Sequence, residues 1–160
     1  MTQAVVDRLK ELCPDAVAGT AEFRGELTII IHAHALLAAC EALKTDPALA
    51  MDMVIDITAV DRFRAEQRFE VVYHLYSLTH KRYVRLRVPV DADPPAVPSV
   101  TGLWGAANWH ERETYDMFGI TFTGHPDLRR MYMPEEFEHY PLRKDFPLMG
   151  IPDSLPLPRR

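Results

Sequence analysis

Cysteine is scarce in this chain: two in 160 residues, Cys13 and Cys40, with no Cys-x-x-Cys spacing. An iron–sulfur cluster usually takes about four thiolates, so the chain cannot hold one alone. Two lone thiols in separate predicted helices read as buried free cysteines of a cytosolic protein. Glycine is also sparse, at seven residues, and forms neither a dinucleotide fingerprint nor a phosphate loop, which argues against a nicotinamide or nucleotide site. Long apolar runs are missing. The longest, Ala35 to Cys40, falls far short of the roughly 20 residues that span a bilayer, so the chain is expected to cross no membrane, although it can belong to a complex that does. Positive charge is not in excess: the net charge of −5 excludes nucleic acid as the main partner, because phosphate binding needs a basic footprint. Met1 to Cys13 mixes Asp7, Arg8, Lys10 and Glu11 with apolar residues, which predicts an amphipathic first helix and not a secretory leader.

What remains is a globular composition, 48% hydrophobic and 26% charged, with no internal repeat. A chain of this length buries about 70% of its unfolded surface as one domain. After the first helix, Ala16 to Phe23 and Glu26 to His32 read as two strands joined at Arg24-Gly25, a hairpin turn. Ala33 to Lys44 is helical, with Leu36, Leu37, Cys40 and Leu43 at helix spacing and Asp46-Pro47 as the stop. Asp52 to Val60, Phe69 to Leu78 and Tyr83 to Val90 read as three further strands. In the last, Val84, Leu86, Val88 and Val90 face the core while Arg85 and Arg87 face out. Short links predict a mostly antiparallel meander with helices packed on one face, an α+β fold. Asp91 to Pro98 is a proline-rich link that can be neither helical nor a central strand, and Ser99 can cap a short helix through Trp104.

The densest stretch follows. A helix over about Ala106 to Phe118 stops at Gly119, and at roughly 100° per residue it places Ala107, Glu111, Tyr115 and Phe118 on one face. Trp109, Glu113, Ala106 and Met117 lie nearly opposite. A helix apolar on both sides is normally covered on both sides, so one side faces this chain's sheet and the other a partner. Glu111 and Glu113 resemble a general acid–base pair, but two positions apart they point about 200° from each other and cannot share a substrate. Arg112 and Asp116 are spaced as an intrahelical ion pair. If Glu111 is buried, it needs a cation or amide donors from elsewhere. The seven histidines show no zinc spacing, and no nucleophile elbow is present.

Seven of the 13 prolines fall after His125, so residues 126–160 are expected to be an extended tail attached to an α+β domain of residues 1–125. Leu128, Met131, Tyr132, Phe137, Tyr140, Phe146 and Leu148 recur along it, which favours docking over disorder. Arg129-Arg130 and Arg143-Lys144, each in a proline-bounded aromatic segment, suit charge-assisted bonds to acidic groups or carbonyls of a docked partner.

Four blocks in order, Glu111-Arg112-Glu113, Tyr115-Asp116-Met117-Phe118-Gly119-Ile120, His125-Pro126-Asp127-Leu128-Arg129-Arg130 and Pro141-Leu142-Arg143-Lys144-Asp145-Phe146-Pro147, resemble the C-type subunit of NADH-quinone oxidoreductase, respiratory complex I. Upstream, Asp56 to Asp61 and Val71 to Ser77 also look like that family. The resemblance implies an α+β subunit without a cofactor of its own, in a complex whose other subunits carry FMN and iron–sulfur clusters. It implies a peripheral place on the cytoplasmic side of the bacterial plasma membrane, linked to the membrane arm only indirectly. Its partners would be the large quinone-site subunit and the iron–sulfur subunits. The signature residues Glu111, Arg112, Glu113, Tyr115, Asp116, Phe118, His125, Asp127, Arg129, Arg130, Arg143, Lys144 and Asp145 would form the partner interface, with no catalytic or metal-binding residue. His139-Tyr140 stands where the family usually has Gly-His, and the short C-terminus implies a separate, bacterial-type form. The alternatives are the equivalent subunit of a membrane-bound hydrogenase or another quinone-reducing complex, and a stand-alone small α+β enzyme.

Overall fold

A computed structural model describes residues 2–147 and 149. Helix α1 (Thr2–Leu12) leads into the hairpin β1 (Val17–Phe23) and β2 (Glu26–Ile31), whose turn residues Arg24 and Gly25 both have positive φ, 52° and 81°. A 3-10 turn over Ala33–Ala35 opens α2 (Leu36–Thr45). Strands β3 (Met53–Asp61), β4 (Phe69–Ser77) and β5 (Arg82–Val90) follow as an antiparallel meander.

The sheet order is β1-β2-β5-β4-β3. The expected mostly antiparallel meander forms over β3, β4 and β5, and a parallel β2–β5 pairing joins it to the antiparallel β1–β2 hairpin. The α2 crossover carries the chain from the middle of the sheet to its far edge, and the two returning strands then fill the gap. Alternation sorts β5 as expected, with Val84, Leu86, Val88 and Val90 buried and the arginines between them turned out. Strand β4 buries Phe69, Val71, Tyr73 and Leu75 completely, as an interior strand requires. Val5, Val6 and Leu9 of α1 and Leu36, Ala39, Cys40 and Leu43 of α2 complete that core.

Past the sheet, the proline link makes a short strand, β6 (Ala96–Pro98), parallel to β7 (Thr121–Thr123). A three-residue strand at the edge of a two-stranded ladder tolerates the prolines that a central strand would not. The short helix expected from Ser99 to Trp104 does not form. The amides of Leu103 and Trp104 both donate to Val100 O, giving a turn, while the Ser99 hydroxyl and the Val100 amide are committed to Glu111.

Helix α3 (Ala107–Phe118) ends at Gly119, whose φ of 72° closes it through a bond from its amide to Tyr115 O. It lies against β3, where the Thr114 hydroxyl donates to Ile57 O, 3.0 Å away, satisfying a carbonyl of the edge strand.

Candidate functional site

Polar interactions concentrate where α3 meets the residues that follow it. Asp116 is fully buried on α3 and has no intrahelical partner. Its Oδ2 accepts three consecutive amides, Met131, Tyr132 and Met133, at 3.0, 2.6 and 3.0 Å, and its Oδ1 accepts Arg130 Nη1 at 2.8 Å. Burial opposes its ionisation, but the three amides and Arg130 together hold its pKa below the ordinary carboxylate range. The expected Arg112–Asp116 pair is thus corrected. Arg112 donates instead to the carbonyls of Arg129 and Arg130, and stacks 5.1 Å over Trp109. A carboxylate in a closed pocket has more to gain from four converging donors than from one neighbour on an exposed helix turn.

A second carboxylate does the same at the other end of the segment. Asp61, at the end of β3, accepts Arg68 through both oxygens at 3.0 and 2.7 Å, the Phe63 amide, and the Lys144 amide at 2.8 Å. Burial works against the charge, yet Arg68 and the amides lower its pKa to about 2. Arg68 also reaches Asp145, 2.9 Å away. Between the two latches, Arg143 donates to Phe118 O at 2.6 Å and lies 4.5 Å over Tyr140 and 5.2 Å over Phe69. Tyr140 and Arg143 cross Gly119 so closely that a Cβ there would sit 2.5 and 2.6 Å from them. Residues 126–147 are therefore a strap laid over α3 and the β3–β4 end of the sheet, extended as the prolines dictate. The rest of the expected tail, residues 150–160 together with Leu148, lies outside the described residues.

The signature residues divide by location. Glu111, Asp116 and Phe118 are buried, Tyr115, Arg112, Arg130 and Arg143 are half-buried, and Glu113, Asp127, Arg129, Lys144 and Asp145 are exposed. His125 is half-buried, with its Nε2 3.2 Å from Asn108 O. Arg129 pairs with its neighbour Asp127. Arg130 and Arg143, expected at a partner interface, both bond within the chain to α3 or its C-terminus. Sequence spacing missed Asp61 and Arg68, which lie 83 and 77 positions before their strap contacts, Lys144 and Asp145; only the three-dimensional return of the strap brings them together.

Glu111 stands apart from this network. Its side chain is buried beside Cys40 and Tyr73, and it accepts the Ser99 hydroxyl at 2.6 Å and the Val100 amide at 2.7 Å. One is an amide donor of the kind the sequence demanded and the other a hydroxyl, and among the described residues no cation pairs with the carboxylate. Burial outweighs the two bonds and raises its pKa to about 7. The Tyr73 hydroxyl nearby has no hydrogen-bond partner among the described residues. Glu113, on the opposite side of α3, is exposed, so the two carboxylates do not meet. Among the described residues no three His, Cys, Asp or Glu side chains converge as a metal site requires, and no helix is long and apolar enough to cross a membrane.

The chain is thus a mixed α+β unit built on a five-stranded, mostly antiparallel sheet, whose buried carboxylates Asp116 and Asp61 join segment to segment. Residues 29–152 match the family "Respiratory-chain NADH dehydrogenase, 30 Kd subunit", and the chain belongs to that family. It is 50% identical over 144 residues to the C-type NADH-quinone oxidoreductase subunit of Roseiflexus sp. (strain RS-1), covering 90% of this chain and 83% of the relative. With the second C-type NADH-quinone oxidoreductase subunit of Rhizobium meliloti (strain 1021) it shares 57% identity over 116 residues, 72% of this chain and 63% of that one. Among solved structures it is similar to Nqo5 of the trypsin-resistant fragment (1-134), with a TM-score of 0.66 and 32% identity over 80% of this chain and all of that one. It is also similar to a chain of the membrane-bound sulfane sulfur reductase, an archaeal respiratory membrane complex, with a TM-score of 0.75 and 26% identity over 92% of this chain and 86% of the other.

Proposed function

We propose that this chain is a non-catalytic structural subunit of the hydrophilic arm of a proton-translocating NADH-quinone oxidoreductase, where it docks the large quinone-site subunit and helps place the iron–sulfur subunits. FMN and the clusters would reside in those other subunits, and the chain would sit peripherally on the cytoplasmic side of the membrane. The observation that carries this reading is the latched strap. Family membership gives the complex, and in the site the charged signature residues Asp116, Arg130, Arg143 and Asp145 are committed to holding a preformed shape, which is what a scaffold needs and a catalytic centre does not.

A second reading has its own support. The similar chain in the sulfane sulfur reductase belongs to a respiratory membrane complex of another chemistry, so a related hydrogenase-type or quinone-reducing assembly is the rival. Arg143→Ala separates structural from catalytic roles: it should lower the amount of assembled complex while leaving turnover per assembled complex unchanged. Normal assembly with slow electron transfer would contradict the scaffold reading and place Arg143 near the quinone chemistry.

A further inference from the structure

Glu111 is a buried acid that neither latch uses. It is fully enclosed on α3 and bonds to residues 99 and 100, at the start of the link between β6 and α3. Cys40 of α2 and Tyr73 of β4 lie close enough to feel its charge, and burial keeps both of them neutral. The neighbouring charges are engaged elsewhere. Lys44 of α2 donates to Leu103 O, His110 is 3.3 Å from Asp56 of β3, and Arg112 is tied to strap carbonyls. The bonds that remain suit a neutral acid. Glu111 Oε1 accepts the Val100 amide at 2.7 Å, and Oε2 lies 2.6 Å from Ser99 Oγ. A hydroxyl rotates, so the second contact serves in either direction. With the carboxyl protonated, Oε2–H donates to Ser99 Oγ, and the Ser99 hydroxyl donates onward to Thr101 Oγ1, 2.9 Å away. Every hydrogen in that chain then has an acceptor. Ionised, the carboxylate keeps only two donors and gains no cation among the described residues, which is costly in an enclosure closed to water.

We propose that Glu111 is a proton-binding site that fastens the link 99–104 to α3: the neutral acid holds the link closed, and ionisation passes the proton to water as the link opens to hydrate the carboxylate. The device is complete within this chain and does not depend on the assembly the chain joins. The link is the wall that can yield. Cys40 and Tyr73 belong to a packed helix and an interior strand, whereas residues 99–104 form a turn held by few bonds. Apart from the two to Glu111, these run from the Ser99 amide to Thr123 O and from the Leu103 and Trp104 amides to Val100 O. Opening reaches α3 directly, because the Ala107 amide at its start donates to Trp104 O at 3.0 Å. The sign follows from linkage. Glu111 has a pKa of about 7 when enclosed and 4.5 when hydrated, so closing the link binds a proton between those values. The fastening is complete below about pH 4.5 and is lost as pH rises through 7.

The test is hydrogen exchange on the full-length chain across this pH range, with protection corrected for the intrinsic pH dependence of amide exchange. Protection of the Val100, Leu103 and Trp104 amides should fall about tenfold for each pH unit between about 5 and 7 and level off above, because each opening releases one proton. At every pH it should stay below that of the β4 amides, as an opening smaller than global unfolding demands. Glu111→Gln, which keeps the shape without the titration, should remove the dependence, and His110→Gln should leave it in place. Infrared spectra of the wild-type chain labelled with carbon-13 glutamate give a reading that needs no variant. One glutamic acid should stay protonated above pH 6 and lose its proton in step with the link. Link protection that does not change with pH, link amides that exchange only together with β4, a dependence that disappears with His110, or glutamates all ionised at pH 6 would each overturn the proposal.

Discussion

Asp116 and Arg130 meet 2.8 Å apart across the junction between α3 and the strap, the carboxylate fully buried and the arginine side chain 9% exposed. The pair is not isolated, since the same carboxylate collects the amides of Met131, Tyr132 and Met133. Removing one partner of such a pair leaves the other charge buried without compensation, which costs about 3–5 kcal/mol.

Asp116→Asn should therefore open the strap without unfolding the sheet. Hydrogen exchange is the direct measurement: the amides of residues 131–133 should lose protection while those of β4 and β5 keep theirs. Loss of protection throughout the chain would mean that strap and sheet fold as one indivisible unit.

Glu111 sets a pH dependence of the opposite sense to the two aspartates. With its folded pKa raised from 4.5 to about 7, the native state binds more protons than the unfolded state in that interval. Stability should be full below about pH 4.5 and fall as pH rises through 7, by up to about 3 kcal/mol. Glu111→Gln should flatten this slope in denaturant titrations between pH 5 and 8. The lowered Asp61 works the other way: its contribution is present above its ordinary pKa of 3.8 and is lost as pH falls towards about 2. A slope in the variant equal to that of the wild type would assign the dependence to another group.

Much of the fold was legible because β5 alternates cleanly, β4 is apolar along its length as an interior strand is, and α3 has a clear stop. Val84, Leu86, Val88 and Val90 alternate into the core, and Gly119 takes the left-handed conformation expected of a helix stop. The parallel β2–β5 pairing was not legible, because strand patterning does not encode which neighbour a strand finds. At the site, the sequence picked out Asp116, Arg130, Arg143 and Asp145 as important charges but not the bonds each makes within the chain. A residue's charge can be read from the chain, whereas its partner depends on where a proline-rich segment returns. Asp61 and Arg68, remote in sequence, gave no local sign of their role.

Gly119 offers a steric test of the same latch. Its φ of 72° disfavours any side chain, and a Cβ would meet Tyr140 and Arg143 at 2.5 and 2.6 Å. Gly119→Ala should destabilise the protein by about 1–3 kcal/mol, read as a lowered thermal midpoint, and should displace Tyr140 from Tyr115, whose ring centroids are 6.4 Å apart. Unchanged stability and an undisturbed Tyr140 environment would show that the strap does not press on the helix end.

Deletion of residues 126–160 tests the proposed division into an α+β domain and a tail. The truncated chain should retain the far-ultraviolet spectrum of the sheet and helices but fail to capture the large quinone-site subunit on co-expression. It should also melt lower than the full chain, because Asp116 and Asp61 lose their strap donors. Unimpaired capture would refute the role of residues 126–160 in assembly.

The most direct test of the central claim is to purify the full-length tagged chain from detergent-solubilised membranes and identify what comes with it by mass spectrometry and optical spectroscopy. Nicotinamide- and flavin-binding subunits, iron–sulfur subunits and the large quinone-site subunit should co-purify in stoichiometric amounts, with NADH-dependent quinone reduction by the assembly. A chain that purifies alone and turns over or binds a small molecule by itself would contradict the scaffold role.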